Sequence, residues 1–183
     1  MWNLKNKTIV ISGATNGIGK AAAIELSKEN PQLLFTYRNQ DLANELLAEI
    51  KALSPNTQVQ SVYCDFSKQD SIKKCVDEIN DLCGNIDVLI NNAGVVNTSY
   101  HETSEGIENT FAVNHLGYFL FTNLLLHKLK GENETRIVNV SSAAHSFVKK
   151  MQWEDINFKN NFGQGLRPYG QSKLANLLFT RYL

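Results

Sequence analysis

The stretch TIVISGATNGIG (8–19) joins a short apolar run to the glycine-rich segment SGATNGIG (12–19). Three glycines in eight positions are costly to order, so they need a structural or functional reason. A flexible loop or a tight strand-to-helix turn would explain them without a ligand. A phosphate-binding turn would also explain them, because exposed backbone N–H groups at a helix N-terminus attract anions.

The composition is that of an ordinary globular protein. The chain has 183 residues, of which 43% are hydrophobic and 20% charged, enough for a single domain over residues 1–183. Lys and Arg together number 18, as do Asp and Glu, so no net field favours nucleic acid or an acidic membrane surface.

Cysteine usage and hydropathy point to an intracellular protein. Cys64, Cys75 and Cys83 lack both the pairing of a secreted disulfide framework and the spacing of zinc ligands, which favours buried thiols and no metal site. The N-terminus lacks the features of a signal peptide. The most apolar stretch, 117–129, is too short and too polar to span a bilayer. We therefore expect a cytoplasmic protein without a transmembrane segment.

Apolar runs of strand length alternate with segments of helical periodicity. The runs are 8–12, 33–37, 59–64, 86–91 and 136–141. Their richness in Val and Ile, with little alternation, predicts a parallel sheet buried on both faces. The fold class predicted is therefore α/β, a doubly wound, Rossmann-like sheet between two helical layers.

The glycine spacing is Gly-x-x-x-Gly-x-Gly, which differs from the Gly-x-Gly-x-x-Gly of ordinary Rossmann dehydrogenases but serves the same physics. Gly13 permits the sharp turn and Gly17 lets the backbone approach a pyrophosphate. Gly19 lets the helix pack on the strand. The α/β context favours the phosphate-binding interpretation over a turn without a ligand.

Residues at the ends of the next strands predict which dinucleotide is bound. Arg38 stands at the end of the second strand, where an NAD-preferring fold usually has an acid, and its guanidinium suits a 2′-phosphate. This predicts NADP, with NAD less favoured, although an isolated Arg could simply be solvated. Asp65 could accept from the adenine amino group. Ala93 and Gly94 could admit a ribose, while Asn91 could either contact the ligand or bridge neighbouring strands.

Tyr169 and Lys173 lie four residues apart on one helix face. A free phenol ionises too weakly to shuttle protons at neutral pH, but an ammonium group nearby stabilises the phenolate. The pair could thus exchange a proton with an alcohol or carbonyl oxygen. Ser142 could donate to that oxygen, and Asn114 could be a satisfied core kink or part of a water relay. Each of these residues alone could equally be structural.

Five segments together resemble the short-chain dehydrogenase/reductase family: SGATNGIG (12–19), NNAG (91–94), VNHLGYF (113–119), IVNVSS (137–142) and YGQSKLAN (169–176). The resemblance covers residues 7–183. The long insert before Tyr169 and the phrase SKLANLLFTR (172–181) are similar to the retinol-dehydrogenase-like branch.

The resemblance implies an oxidoreductase that interconverts an alcohol and a carbonyl. It implies Tyr169 as general acid/base, Lys173 as ribose ligand, Ser142 as carbonyl stabiliser and Asn114 as anchor of a relay water. The expected cofactor-binding residues are Gly13, Thr15, Asn16, Gly17, Ile18, Gly19, Arg38, Asp65, Asn91, Ala93, Gly94, Tyr169 and Lys173.

The insert 143–168 is apolar enough either to cover a lipophilic substrate or to pack down as a structural flap. The family resemblance also implies that a homodimer could form through helices at 106–130 and 169–183. Relatives are expected to continue through two more strands and a substrate lid, so we expect a chain that is incomplete at its C-terminus, with strand 136–141 at a sheet edge. A non-catalytic dinucleotide-binding or partner-binding module is therefore the alternative to an active enzyme.

Overall fold

Five parallel strands form the sheet at the centre of this computed structural model, which describes residues 3–129 and 134–183. The sheet order is β3-β2-β1-β4-β5. The strands are β1 (Thr8–Ile11), β2 (Gln32–Tyr37), β3 (Gln58–Tyr63), β4 (Val88–Asn91) and β5 (Arg136–Asn139). The doubly wound parallel sheet predicted from the sequence is confirmed, with strand bounds that differ by at most two residues.

Helices connect the strands. They are α1 (Gly17–Ser27), α2 (Gln40–Leu53), α3 (Gln69–Leu82), α4 (Asn109–Phe111), α5 (Gly117–Leu129) and α6 (Leu166–Tyr182). A π-helical turn, Ala112–Leu116, joins α4 to α5, so the expected helix 106–130 is not continuous, and its last residue, Lys130, lies outside the described residues. Helix α6 begins three residues before Tyr169, because Gly165 provides a left-handed N-cap (φ 84°).

The two faces of the sheet form separate apolar cores. In β1, Ile9 and Ile11 pack with α1 and α2, whereas Val10 packs on the opposite side with α3 and α5. This three-layer arrangement explains why the central strands show little alternation in sequence. The edge strands β3 and β5 are half exposed, and Val138 in β5 is 44% exposed. Cys64, Cys75 and Cys83 are buried free thiols, as predicted.

Ser12 and Asn92 hold the ends of β1 and β4 together. The Ser12 hydroxyl accepts hydrogen bonds from the backbone N–H groups of Asn92 (2.9 Å) and Ala93 (3.1 Å). In return, Asn92 Nδ2 donates to the Ser12 and Gly13 carbonyls at 3.0 and 2.9 Å. The two turns therefore meet at backbone contact distance.

This close approach requires two of the glycines. Gly13 has a φ of +66°, and a Cβ there would lie 2.6 Å from Ala93 Cα. A Cβ on Gly19 would overlap Asn92 Nδ2 and the Gly13 carbonyl oxygen. Gly17 also has a positive φ (+54°), but no atom lies within 4 Å of its Cβ position, so it is needed for conformation rather than for space.

We predict that Gly19→Ala lowers the free energy of unfolding by roughly 1–3 kcal/mol, because the added methyl group forces the two turns apart. Denaturant unfolding of the two proteins measures this difference. Gly84→Ala is the matched control: no atom lies within 4 Å of its Cβ position, and its φ is not in the left-handed region, so its stability should stay the same or rise slightly. Equal effects of the two substitutions would contradict the close approach.

Candidate functional site

A cavity of about 610 Å³ lies at the carboxyl ends of the strands. This is the position at which doubly wound sheets bind ligands. Each strand is followed by residues that line it. In chain order these are Gly13 to Gly19 without Ala14 and Gly17, Thr36 to Asn39, Leu42, Cys64 to Phe66, Asn92 to Val96, Val113, Val140 to Ser142, Tyr169 and Lys173.

The part of the cavity next to the N-terminus of α1 can bind an anion. The N-cap of α1, Asn16, makes no side-chain hydrogen bond to the helix, so the first N–H groups of α1 are not capped by a side chain. Thr15, Asn16 and Ile18 line the cavity around this helix end, and Ile18 is 74% exposed. A helix N-terminus in this state favours a phosphate group. Gly17 does not line the cavity.

Arg38 and Asp65 lie on the wall formed by β2 and β3. Arg38 is exposed, and no carboxylate within the described ranges lies within 4 Å of its guanidinium. Burial alone would raise the pKa of Asp65. Hydrogen bonds from Ser67, together with the charges of Lys68 and Arg38, outweigh that effect and hold the pKa below its ordinary value. The Asp65 side chain is therefore an ionised carboxylate that can accept hydrogen bonds, and the Arg38 guanidinium lies near it.

Asn91 does not line the cavity. Its side chain is fully buried, and Nδ2 donates to Thr122 Oγ1 (2.8 Å) and Asn139 Oδ1 (2.7 Å). Of the two interpretations open from the sequence, the structure shows the bridge, which joins β4 to β5 and α5. Its neighbours Ala93 and Gly94 do line the cavity.

Tyr169 and Lys173 line another part of the cavity. Lys173 is 4% exposed, and its Nζ lies 5.7 Å from the Tyr169 ring centroid. Its Nζ donates to the Val140 carbonyl at 3.0 Å. Burial lowers the pKa of Lys173 to about 8. Among the described residues, none hydrogen-bonds to the Tyr169 hydroxyl, which is free to meet a ligand.

The two serines after β5 have different surroundings. The Ser141 hydroxyl donates to the Lys173 carbonyl at 2.8 Å, which fixes β5 to α6. The Ser142 hydroxyl accepts from the Ala144 N–H at 3.2 Å, and no acceptor for its own proton lies within residues 3–129 and 134–183. Both line the cavity, but the proton of Ser142 is the available one. The catalytic role of Ser142 stays a prediction.

Asn114 lies behind the cavity, in the π-helical turn. It is fully buried; Oδ1 accepts from the Val95 N–H (2.7 Å), and Nδ2 donates to the Val95 carbonyl (2.9 Å) and Ser172 Oγ (3.2 Å). Its side chain thus holds the segment following β4 against α6. The geometry is that of a satisfied core kink, one of the two possibilities left open by the sequence.

Asn176 is a residue that the sequence reasoning missed. Its Nδ2 donates to the Asn114 carbonyl (2.9 Å) and the Val140 carbonyl (3.3 Å), and its Oδ1 lies 3.0 Å from His115 Nδ1. It therefore connects the π-helical turn to the carbonyl that receives Lys173. No sequence signal singles it out, because its neighbours one turn away, Ser172, Lys173 and Thr180, are polar as well.

The insert 143–168 is partly packed down and partly exposed. Gln171 holds it to α6, because Oε1 accepts from the Gln152 N–H (2.7 Å) and Nε2 donates to the Ile156 carbonyl (3.1 Å). Met151 and Phe158 are buried. Phe147 and Trp153 are 55% and 72% exposed. The buried side chains of Met151 and Phe158 fit the structural-flap interpretation. The exposed side chains of Phe147 and Trp153 are available to cover a substrate.

The comparisons with known proteins agree with this geometry. A sequence model of the short chain dehydrogenase family matches residues 7–153. The chain is 36% identical over 180 residues to human retinol dehydrogenase 13 and 39% identical over 180 residues to retinol dehydrogenase 12 of Mus musculus. It is 37% identical over 186 residues to the chloroplastic short-chain dehydrogenase TIC 32 A of Brassica napus. Each alignment covers 98% of this chain but 54–58% of the relative, so the chain spans just over half their length.

Two crystal structures share the fold. An uncharacterised protein from Mycobacterium paratuberculosis aligns with a TM-score of 0.85 and 33% identity, over 98% of this chain and 62% of that one. Levodione reductase aligns with a TM-score of 0.77 and 20% identity, over 98% and 65%. No helix of the described residues is both long enough and apolar enough to traverse a bilayer.

The buried ammonium of Lys173 gives a testable pH dependence. The folded protein releases this proton near pH 8, whereas an unfolded lysine holds it to about 10.5. Between these values the unfolded chain binds the extra proton, so Lys173 should contribute a rise in stability with pH, of on the order of 3 kcal/mol. The measurement is the free energy of unfolding at pH 7.5 and 10 for wild type and Lys173→Met.

We expect Lys173→Met to remove this rise. Lys20→Met is the control, because the Glu49 carboxylate raises the pKa of Lys20 instead, so its removal should leave the rise intact. An identical pH response in wild type and Lys173→Met would show that Lys173 keeps an ordinary pKa.

Proposed function

The chain belongs to the short-chain dehydrogenase family, and from that premise we propose that it binds NADP and interconverts an alcohol and a carbonyl on a lipophilic substrate. The observation that carries the proposal is one cavity lined both by an uncapped helix N-terminus and by Ser142, Tyr169 and Lys173. A dinucleotide needs a phosphate-binding centre and two nucleoside sites, and the lining of this cavity offers groups for each of them.

The residues present fit a dinucleotide. Gly13 and Gly19 keep the turn free of side chains, and the uncapped N–H groups of α1 lack the partner that a pyrophosphate would supply. Asp65, held as a carboxylate, can accept from an adenine amino group. Lys173 and Tyr169 can bind the ribose of the nicotinamide half. When bound, the nicotinamide supplies or accepts a hydride.

Arg38 supports NADP rather than NAD. Its guanidinium is exposed on the cavity wall directly before α2, whose N-cap Asn39 already satisfies the Asp41 and Leu42 N–H groups. Arg38 is therefore the group at this corner that can bind an anion. Its planar guanidinium has N–H groups placed to bind a 2′-phosphate. A 2′-hydroxyl would leave the guanidinium without a partner.

We predict that Arg38→Asp weakens NADP binding by about 10- to 100-fold, because a charge-assisted hydrogen bond is replaced by repulsion. NAD binding should be unchanged or improved. Titration of both nucleotides, followed by protein fluorescence, measures the ratio. Arg181→Asp, an exposed arginine near the end of α6, is the control for the change in net charge. An unchanged NADP/NAD ratio in Arg38→Asp would remove the assignment.

The proposed chemistry uses three side chains of this wall. The Tyr169 hydroxyl donates its proton to the carbonyl oxygen in reduction and recovers it in oxidation. The Lys173 ammonium, 5.7 Å from the ring centroid, stabilises the phenolate left behind. The Ser142 hydroxyl, whose own proton has no acceptor within the described ranges, donates to the substrate oxygen as negative charge develops there.

Asn114 has a supporting role in the proposal. Its side chain is consumed by Val95 and Ser172, so only its backbone can take part in a water relay. The retinol dehydrogenase relatives act on retinol by name, and the exposed Phe147 and Trp153 offer this chain an apolar contact surface for a substrate of that kind.

We expect Tyr169→Phe to lower turnover of an aldehyde and ketone panel with NADPH by at least about 100-fold, because the variant lacks the proton donor. Loss of nucleotide absorbance measures turnover. Tyr182→Phe, which removes a hydroxyl from a side chain 90% exposed at the end of α6, is the control and should keep full activity.

Turnover that survives Tyr169→Phe would contradict the assignment of the acid/base. Binding of NADP by wild type with no turnover on any member of the panel would favour the alternative, a dinucleotide-binding module without catalysis.

A further inference from the structure

Tyr118, in the first turn of α5, is the largest fully buried side chain of the described residues. Its hydroxyl is also buried, and no hydrogen-bond partner for it lies within residues 3–129 and 134–183. A buried polar group without a partner is destabilising, so such groups are rare in native proteins. The Tyr118 hydroxyl therefore calls for a function.

The same ring borders the proposed catalytic pair. Lys173 Nζ lies 5.9 Å from the centroid of the Tyr118 ring and 5.7 Å from that of Tyr169, so both rings border the ammonium. Burial, followed by the proximity of Tyr169, raises the pKa of Tyr118, which keeps its hydroxyl protonated and able to donate.

Other buried polar atoms without a partner do not share this setting. Asn91 Oδ1 is one of them, but the same side chain is anchored through two hydrogen bonds from Nδ2. Tyr118 has one polar atom, and all of its hydrogen-bonding capacity is unused. It is also the member of this group whose ring borders the Lys173 ammonium.

The proposed function adds contacts to Lys173. Nζ donates one hydrogen bond, to the Val140 carbonyl, and the other N–H groups of the ammonium can donate to a ribose. A ribose that accepts from them changes the hydrogen bonds around the ammonium, and Tyr118 is the unpartnered polar side chain that borders it. If the Tyr118 hydroxyl has no partner without nucleotide and gains one with it, the new hydrogen bond stabilises only the nucleotide-bound state.

We propose that Tyr118 is a positioning residue for the Tyr169–Lys173 pair, and that its hydroxyl gains a hydrogen-bond partner only when the dinucleotide is bound. The inference rests on the proposed function, because it needs NADP in the cavity. The ring holds the ammonium in both states, and the hydroxyl makes the bound arrangement of the pair more favourable than the free one.

Tyr118→Phe tests this, because it removes the hydroxyl and keeps the ring. In the absence of nucleotide, the unfolding temperature should stay the same or rise, since no hydrogen bond is lost. The dissociation constant for NADP should increase about 3- to 10-fold, and the rise in unfolding temperature at a fixed NADP concentration should shrink accordingly.

Thr122→Val is the matched control. It removes a fully buried hydroxyl one turn further along α5, but that hydroxyl accepts from Asn91 Nδ2 at 2.8 Å. Its loss should lower the unfolding temperature without nucleotide, the opposite of Tyr118→Phe.

Three results would overturn the inference. If Tyr118→Phe is markedly less stable than wild type without nucleotide, or fails to fold, the hydroxyl already has a structural role. If both proteins bind NADP equally, the hydroxyl gains no partner in the bound state, and the proposed function stands without it. If wild type gains no stability from NADP or NAD, the dinucleotide site itself is wrong and the role of Tyr118 falls with it.

Discussion

The turns after β1 and β4 are joined by a reciprocal set of hydrogen bonds in which the Ser12 hydroxyl serves one turn and the Asn92 amide serves the other. The backbones can meet at this distance only where Cβ atoms are missing, at Gly13 and Gly19. The meeting of these two turns sets the floor of the cavity and directs the N-terminus of α1 toward it. The glycines thus serve two purposes. They let the backbones of the two turns meet, and they leave space for a ligand.

The opposite wall depends on amides buried between α6 and the π-helical turn. Asn176 donates to two backbone carbonyls, Asn114 joins the segment following β4 to Ser172, and Gln171 ties the insert to α6. Buried polar networks of this kind are stabilising only when nearly every member is paired. The Tyr118 hydroxyl, within the described part of the chain, departs from that rule beside the Lys173 ammonium.

The sequence predicted the sheet well because its evidence is local. The β-branched runs and the glycine turn are each visible within ten residues, and strand bounds came within two residues. The predicted cavity residues from Gly13 to Lys173 also meet at one edge, since parallel strands end together. Asn91 and Asn114 are buried beside the cavity rather than in its lining. The sequence shows that an asparagine is present, but it does not show which groups form hydrogen bonds with its side chain.

Features made by distant pairs could not be predicted. Asn176 gains its role from carbonyls 36 and 62 residues away, and the π-helical turn at 112–116 has no separate signature in an apolar helix. The insert looked uniform in composition, yet Met151 and Phe158 are buried whereas Trp153 is exposed. Only the folded structure shows which of these side chains are buried and which are exposed.

The π-helical turn has a consequence for the register of α5. It accommodates one more residue than a regular helix over the same rise, as shown by the Gly117 N–H bonding to the Ala112 carbonyl. Deleting one residue here to restore a regular helix would rotate everything after it by about 100°. Phe121 and Leu125 would leave the apolar core together, and Tyr118 would leave the ammonium. The extra residue therefore sets the rotation of α5, so that its core-facing side chains point into the apolar core while the Tyr118 ring lies beside the Lys173 ammonium.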